Sequence, residues 1–332
     1  MGPQPNSEVL KLSKHGKKLL KQHRYPDAEK IFGQALAMDP ENSYILVGLG
    51  DLCRLTNKFG KSISFYTRLL ELDDGNVFAL RGIGDCYRGL RQPEKSIDFW
   101  KRYLEINRGD VHVMVRLADA YKSMDMLEEA EELYLDSVAT QGEARYALMG
   151  LGNLYYKMHE DDKALKAFQK LLSIDEHYVA VLTMVGNIYQ RRSDYENANK
   201  HYSKAIEIEP DNSYALYGLG NCQRGMGNVD QAIALWGKIL QREPENQNIL
   251  SRLGDAFFNN DDIDTARRHY ERSLDLGFDA YALIGMARVF RSENKFVDAE
   301  ACCNRVLMEK PGFERAIEEL SLVLIDKDNA RK

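Results

Sequence analysis

The chain has 332 residues, of which 44% are hydrophobic and 29% charged, with a formal net charge of −6. This is an ordinary globular balance. It lacks the overall basic footprint of a nucleic-acid binder, and it contains no run of roughly 18 apolar residues that would insert in a membrane.

Met1 to Asn6 shows no basic stretch followed by an apolar one, so no secretory leader is legible. A cytoplasmic location is the favoured reading. A periplasmic or membrane-anchored one stays open if an N-terminal segment has been removed.

From Val9 onward the pattern repeats. Units begin at Val9, Ser43, Val77, Val111, Arg145, Val179, Ser213 and Gln247, each 34 residues apart, and a ninth begins one residue early at Ala280, after Gly277-Phe278. With each unit numbered from 1, column 4 is Leu or Met throughout. Column 8 is Gly or Ala, and column 20 is Ala or Ser. Column 24 reads Phe32, Tyr66, Trp100, Tyr134, Phe168, Tyr202, Trp236, Tyr270 and Cys303. Eight aromatics in nine, in a chain that is 10% aromatic, exclude chance. Columns 4, 7, 8 and 11 share one helical face, and columns 20, 24, 27 and 28 share another. Each unit is therefore expected to be two helices. Small residues at columns 8 and 20 would let the helix axes approach, and the ring at column 24 would fill the space between hairpins. Glycine inside a helix costs about 1 kcal/mol against alanine, which close packing has to offset.

Pro40, Pro210, Pro244 and Pro311 stand just past second helices, where proline blocks continuation. Pro26 and Pro93 are expected in the turn between paired helices. Two joints look irregular: Thr140-Gln141-Gly142-Glu143, and the short one at Gly277. A last helix is expected after Gly312, with Ala316, Ile317, Leu320, Val323 and Leu324 on its apolar face and a frayed tail from Asp326. Leu322 and Ile325 lie outside that face and suggest self-association.

Little chemistry is legible. Gly82-Ile83-Gly84 and Gly218-Leu219-Gly220 imitate a phosphate loop but sit inside first helices with no preceding strand. The seven histidines share no metal-ligand spacing. The cysteines Cys53, Cys86, Cys222, Cys302 and Cys303 read as packing residues of a reducing compartment. Glu128, Glu129, Glu131 and Glu132 read as a solvated face. No nucleophile, base and orienter can be placed together, so neither catalysis nor a cofactor is expected.

A period of 34 with these columns resembles the tetratricopeptide repeat family. The resemblance covers residues 9–313 as nine repeats, with 314–332 as a capping helix and tail. It implies an all-α fold: a right-handed superhelical solenoid of helical hairpins, with first helices lining a concave groove. It also implies a protein or peptide partner, with columns 2, 5, 6, 9, 12 and 13 facing that groove. There, Asp51 with Arg54, Asp85 with Arg88, and Asp119 with Lys122 are expected to pair at i, i+3. Further along stand Asn153, Asn187 and Asn221, beside Tyr146, Met149, Tyr156, Met184, Tyr214 and Tyr217. Amides offer both a donor and an acceptor to a peptide backbone, and Arg54, Arg88 and Arg224 would add salt-dependent steering, not most of the affinity. His15 and the lysines of the first helix read either as a soluble cap or as a contact for an acidic partner. Relatives that grip the acidic C-terminus of heat-shock proteins need a Lys and Asn pair ahead of Arg at column 6. Arg116 and Arg252 are present but that pair is absent, which disfavours this activity. Three readings follow: a non-enzymatic interaction scaffold, a homo-oligomeric assembly protein, or the substrate-recruiting arm of a larger enzyme.

Overall fold

Wherever the apolar columns recur at helical spacing, the backbone is helical. The structure, a computed structural model, describes residues 7–140 and 145–330. Among them are nineteen helices and no strand. The chain divides into two units, Met1–Ile174 and Asp175–Lys332.

In the first unit five hairpins follow one another: α1 (Ser7–Lys21) with α2 (Tyr25–Met38), α3 (Ser43–Leu55) with α4 (Phe59–Leu72), α5 (Val77–Gly89) with α6 (Pro93–Ile106), α7 (Val111–Ser123) with α8 (Leu127–Thr140), and α9 (Arg145–Lys157) with α10 (Asp161–Ile174). The second unit has four hairpins: α11 (Val179–Arg191) with α12 (Tyr195–Ile208), α13 (Ser213–Gly225) with α14 (Val229–Arg242), α15 (Gln247–Asn259) with α16 (Ile263–Asp275), and α17 (Ala280–Ser292) with α18 (Phe296–Glu309). It closes with α19 (Glu314–Asn329). Within each unit a helix packs on its hairpin partner and on the next hairpin, the neighbour-only contact pattern of a helical solenoid.

Each junction is built from local chemistry. Asn42, Asn76, Asn212 and Asn246 cap α3, α5, α13 and α15 with their side-chain carbonyls. The carboxylates of Asp39, Asp73, Glu209 and Glu243 in turn accept from those amides at 2.7–3.1 Å. Pro26 and Pro93 lie in the first turns of α2 and α6, not in the connecting turns, because a missing N–H costs nothing there. The turn inside every hairpin passes through one left-handed residue. Eight of these are not glycine: His23, Asn57, Arg91, Asp125, His159, Ser193, Asp261 and Asn294, with φ of 57–63°. Gly227 is the ninth, at 85°. The joint at Gly277 takes its missing residue from α16, which is one residue shorter than α14. The joint at Gln141 to Glu143 lies outside the described residues.

The ring at column 24 is the core. Phe32, Tyr66, Trp100, Tyr134, Phe168, Tyr202, Trp236 and Tyr270 are all essentially without solvent exposure. Phe32, Tyr66, Tyr202 and Tyr270 are each set between two glycines. Tyr66 lies against Gly50 of its own repeat and Gly82 of the next, and Tyr270 lies against Gly254 and Gly285. A Cβ at any of these glycines would fall closer than 3.0 Å to the ring. Where the ring is Trp100 or Trp236, the column 6 residue that follows is not glycine but Arg116 or Arg252. The ring series Phe, Tyr, Trp, Tyr therefore occurs twice, 136 positions apart, four periods of 34.

The last helix departs from expectation. Ala316, Glu319 and Val323 are its buried residues, while Ile317 and Leu324 are exposed. Glu319 takes the central position because Arg291 reaches it at 2.9 Å. The helix is not frayed from Asp326: Asp326 meets Arg291 at 3.3 Å, and Lys327 meets Glu300 at 2.7 Å.

Candidate functional site

From the second repeat onward the first helices bury columns 3 and 4 and leave column 2 exposed. A large apolar ring in an exposed position is the informative observation. Column 2 carries Tyr44 (59% exposed), Phe78 (55%) and Tyr146 (74%) in the first unit, and Tyr214 (84%) and Tyr281 (48%) in the second. Tyr146 and Tyr214 are expected from the sequence. Tyr44, Phe78 and Tyr281 occupy the same column and were legible by the same rule.

In the first unit the polar columns form a connected chain. Tyr66 Oη donates to Asp51 at 2.8 Å, and Arg54 donates to the same oxygen at 3.0 Å. Arg54 also stands 3.8 Å from Asp85, which Arg116 reaches from the next repeat at 2.8 Å. Asp85 is thus claimed by two cross-repeat arginines, and the expected pair with Arg88 does not form; Arg88 is exposed. Asp119 meets Lys122 at 3.0 Å and accepts from Tyr134 Oη. Burial, and then the adjacent carboxylate, hold the Tyr66 and Tyr134 hydroxyls protonated, so they remain donors. Glu131 is no bystander on a solvated face: it accepts from Tyr155 Oη at 2.6 Å. Asn153, Met149 and Tyr156 are half-buried on α9.

In the second unit the amides are partly committed. Asn187 accepts from Tyr202 Oη at 2.5 Å, and its amide nitrogen stands 3.9 Å from Met184 Sδ. Asn221 is only 8% exposed, and its carbonyl receives Arg252 at 3.4 Å. Arg252 lies over the Tyr217 ring at 4.8 Å, and Arg224 lies over Trp236 at 5.9 Å. Tyr214 forms a wall shared by two recesses, one of about 390 Å³ beside Tyr178 and Thr183. The other, of about 630 Å³, lies beside Tyr217 and Asn248.

Among the described residues no group of three or more His, Cys, Asp or Glu side chains could hold a metal ion, and no helix is long and apolar enough to cross a membrane. Burial pushes the Cys222 thiol up to about 11 and the Cys303 thiol up to about 12, as expected of packing residues.

Tetratricopeptide repeat family models match the chain at residues 13–77, 111–140, 145–178, 190–238, 223–282 and 251–312. No curated protein matches it. Among solved structures it is similar to a tetratricopeptide repeat protein from Parabacteroides merdae, at 15% identity and a TM-score of 0.60, over 75% of this chain and 98% of that one. It is also similar to Pseudomonas aeruginosa pilF, at 18% identity and a TM-score of 0.55, over 67% and 97%. A third is PilW, a type IV pilus biogenesis factor, at 17% identity and a TM-score of 0.56, over 64% and 98%.

Proposed function

Because the chain belongs to the tetratricopeptide repeat family, we propose that it is a non-enzymatic interaction scaffold that binds an extended segment of a partner protein along its first helices. The observation that carries this reading is the exposed aromatic residues at column 2 within each unit, and in the second unit Tyr214 set between two recesses of side-chain size. Rigid exposed rings beside polar groups already held in place are what a peptide interface uses for anchors. In the first unit Tyr146 supplies an anchor, and in the second unit Tyr214 does. Within each unit a neighbouring amide adds a hydrogen bond to the bound segment, Asn153 in the first and Asn187 in the second, the latter through its amide nitrogen because its carbonyl is taken by Tyr202. Asn221 has little exposed surface, and its part is to hold Arg252. Arg54 and Arg224 contribute salt-dependent steering.

The test is selection of binders from a displayed peptide library, followed by titration of the enriched peptides. Tyr146→Ala and Tyr214→Ala variants with unchanged helical circular dichroism should lose affinity. Unchanged affinity in both would place the site away from the first helices.

A second reading, self-association, rests on α19, which exposes Leu322 (43%), Ile325 (56%), Ile317 (46%) and Leu324 (42%). Sedimentation that is independent of concentration, and unaltered by Leu322→Glu with Ile325→Glu, excludes it.

A further inference from the structure

The second unit contains a recess that the first helices alone do not explain. It lies between α13, α15, α17 and the start of α19, and holds about 570 Å³. Ligand-sized clefts run from roughly 300 to 1,000 Å³. Its charge is unusual for a chain of net −6. Four cations line it, Arg224, Arg252, Lys310 and Arg315, against two carboxylates, Asp255 and Asp279.

Those carboxylates are already committed. Asp255 accepts from Tyr270 Oη at 2.8 Å and meets Arg288 at 3.5 Å. Asp279 caps α17 through Tyr281 N at 2.9 Å and accepts from Ser273 Oγ at 2.7 Å. None of the four cations has a carboxylate partner among the described residues. Each rests on aromatic surface instead: Arg224 over Trp236, Arg252 over Tyr217, Lys310 over Phe278 and Phe313, and Arg315 over Tyr281. A ring face orients a cation without neutralising it.

The chain carries its own comparison. Arg88 and Arg116 stand 136 positions before Arg224 and Arg252, in the same columns. In the first unit, however, Asp85 binds Arg116 at 2.8 Å. The residue that matches Asp85 in the second unit is Asn221, which offers Arg252 only a neutral carbonyl at 3.4 Å. The matching arginine is paired with a carboxylate in one unit and left without one in the other. We propose that this recess binds an acidic segment of a partner protein, whose side-chain carboxylates are received by Arg224, Arg252, Lys310 and Arg315. The four cations are held on four separate sets of rings, which suits carboxylates spread along a peptide better than a single compact anion. The proposal rests on the reading of the first helices as a protein-binding face and adds the chemistry of the partner.

The test uses the full chain and a fluorescein-labelled decapeptide of glutamate, with a glutamine decapeptide and inorganic phosphate as the other probes. The glutamate peptide should bind with an affinity that falls steeply with salt, and the glutamine peptide should not bind. Arg252→Gln with Arg315→Gln should weaken binding by about ten-fold or more, as loss of charge-assisted bonds does. Asn221→Asp, which supplies the carboxylate that Arg116 has in the first unit, should weaken binding without removing any cation. Lys166→Gln with Lys170→Gln, two exposed cations of α10, should leave it unchanged. Equal binding by all variants, no glutamate binding, or competition by phosphate as strong as by peptide would overturn the proposal. If the acidic peptide fails while library-selected peptides still depend on Tyr214, only this inference falls. If those peptides ignore Tyr146 and Tyr214 while glutamate binding still depends on Arg252, the broader reading falls instead.

Discussion

At the scale of single residues, the rings at column 24 carry most of the consequence. Trp236 is fully buried against Gly220 and in the same cluster as Leu216, Ile239 and Leu253. Trp236→Ala should cost about 3–5 kcal/mol. Amide hydrogen exchange should show α12 to α16 losing protection before α3 to α6, since such stability is passed between neighbours only. A second residue-scale effect is acid sensitivity. His201 and His269 stack on Tyr189 and Phe257 with ring centroids 5.6 and 5.4 Å apart. Burial first, then Lys204 and Lys200 for His201, and Arg272 and Arg268 for His269, hold both below the ordinary value of 6.5. The unfolded chain therefore takes up protons that the folded one refuses. Stability is fully present above pH 6.5 and is lost as pH falls through that value towards the lower folded pKa. Urea denaturation at pH 7.5 and 5.5 should show this loss, and His201→Gln with His269→Gln should remove much of it.

At the scale of elements, the hairpin turn shows what propensity does not disclose. Arg91 is exposed and adopts φ of 58° because the turn from α5 to α6 has to reverse the chain in three residues. An L-residue there bears about 1–2 kcal/mol of steric cost. Glycine gives part of that back as unfolded-state entropy, so Arg91→Gly should stabilise by about 0.5–1 kcal/mol. Thermal denaturation checks this, and Gly227→Arg at the matching turn should shift the midpoint the opposite way. The turn was hard to read because its column contains His, Asn, Arg, Asp, Ser and Gly, with no common chemistry. The last helix was misread for a related reason. Its apolar residues outnumber its buried positions, and the choice was made by Arg291, which drew Glu319 inward and left Ile317 and Leu324 in solvent.

At the scale of the whole molecule, function depends on which groups the packing leaves over. Asn187→Ala should weaken a peptide selected on the second unit by about two- to ten-fold, as loss of one neutral hydrogen bond of about 0.5–1.5 kcal/mol does. Asn221→Ala should weaken it less, because Asn221 acts only through Arg252. Asn187→Ala also strips an acceptor from buried Tyr202, so it should lower stability as well as affinity. Isothermal titration beside thermal denaturation separates the two effects. Equal losses of affinity with no loss of stability would contradict the hydrogen bonds described for Asn187 and Asn221.

The period, the helix pairs and the buried rings were determined by sequence alone, because they follow from column identities repeated nine times. Helical spacing and side-chain size need no knowledge of distant partners. What the tertiary structure decided is the fate of each charge. Asp85 lies three residues from Arg88 yet binds Arg54 and Arg116, from the repeats before and after. Arg252 faces an amide where Arg116 faces a carboxylate. Long charged side chains pair across hairpins whose approach is set by the glycines under the rings, so local spacing could not predict which cations would be left free.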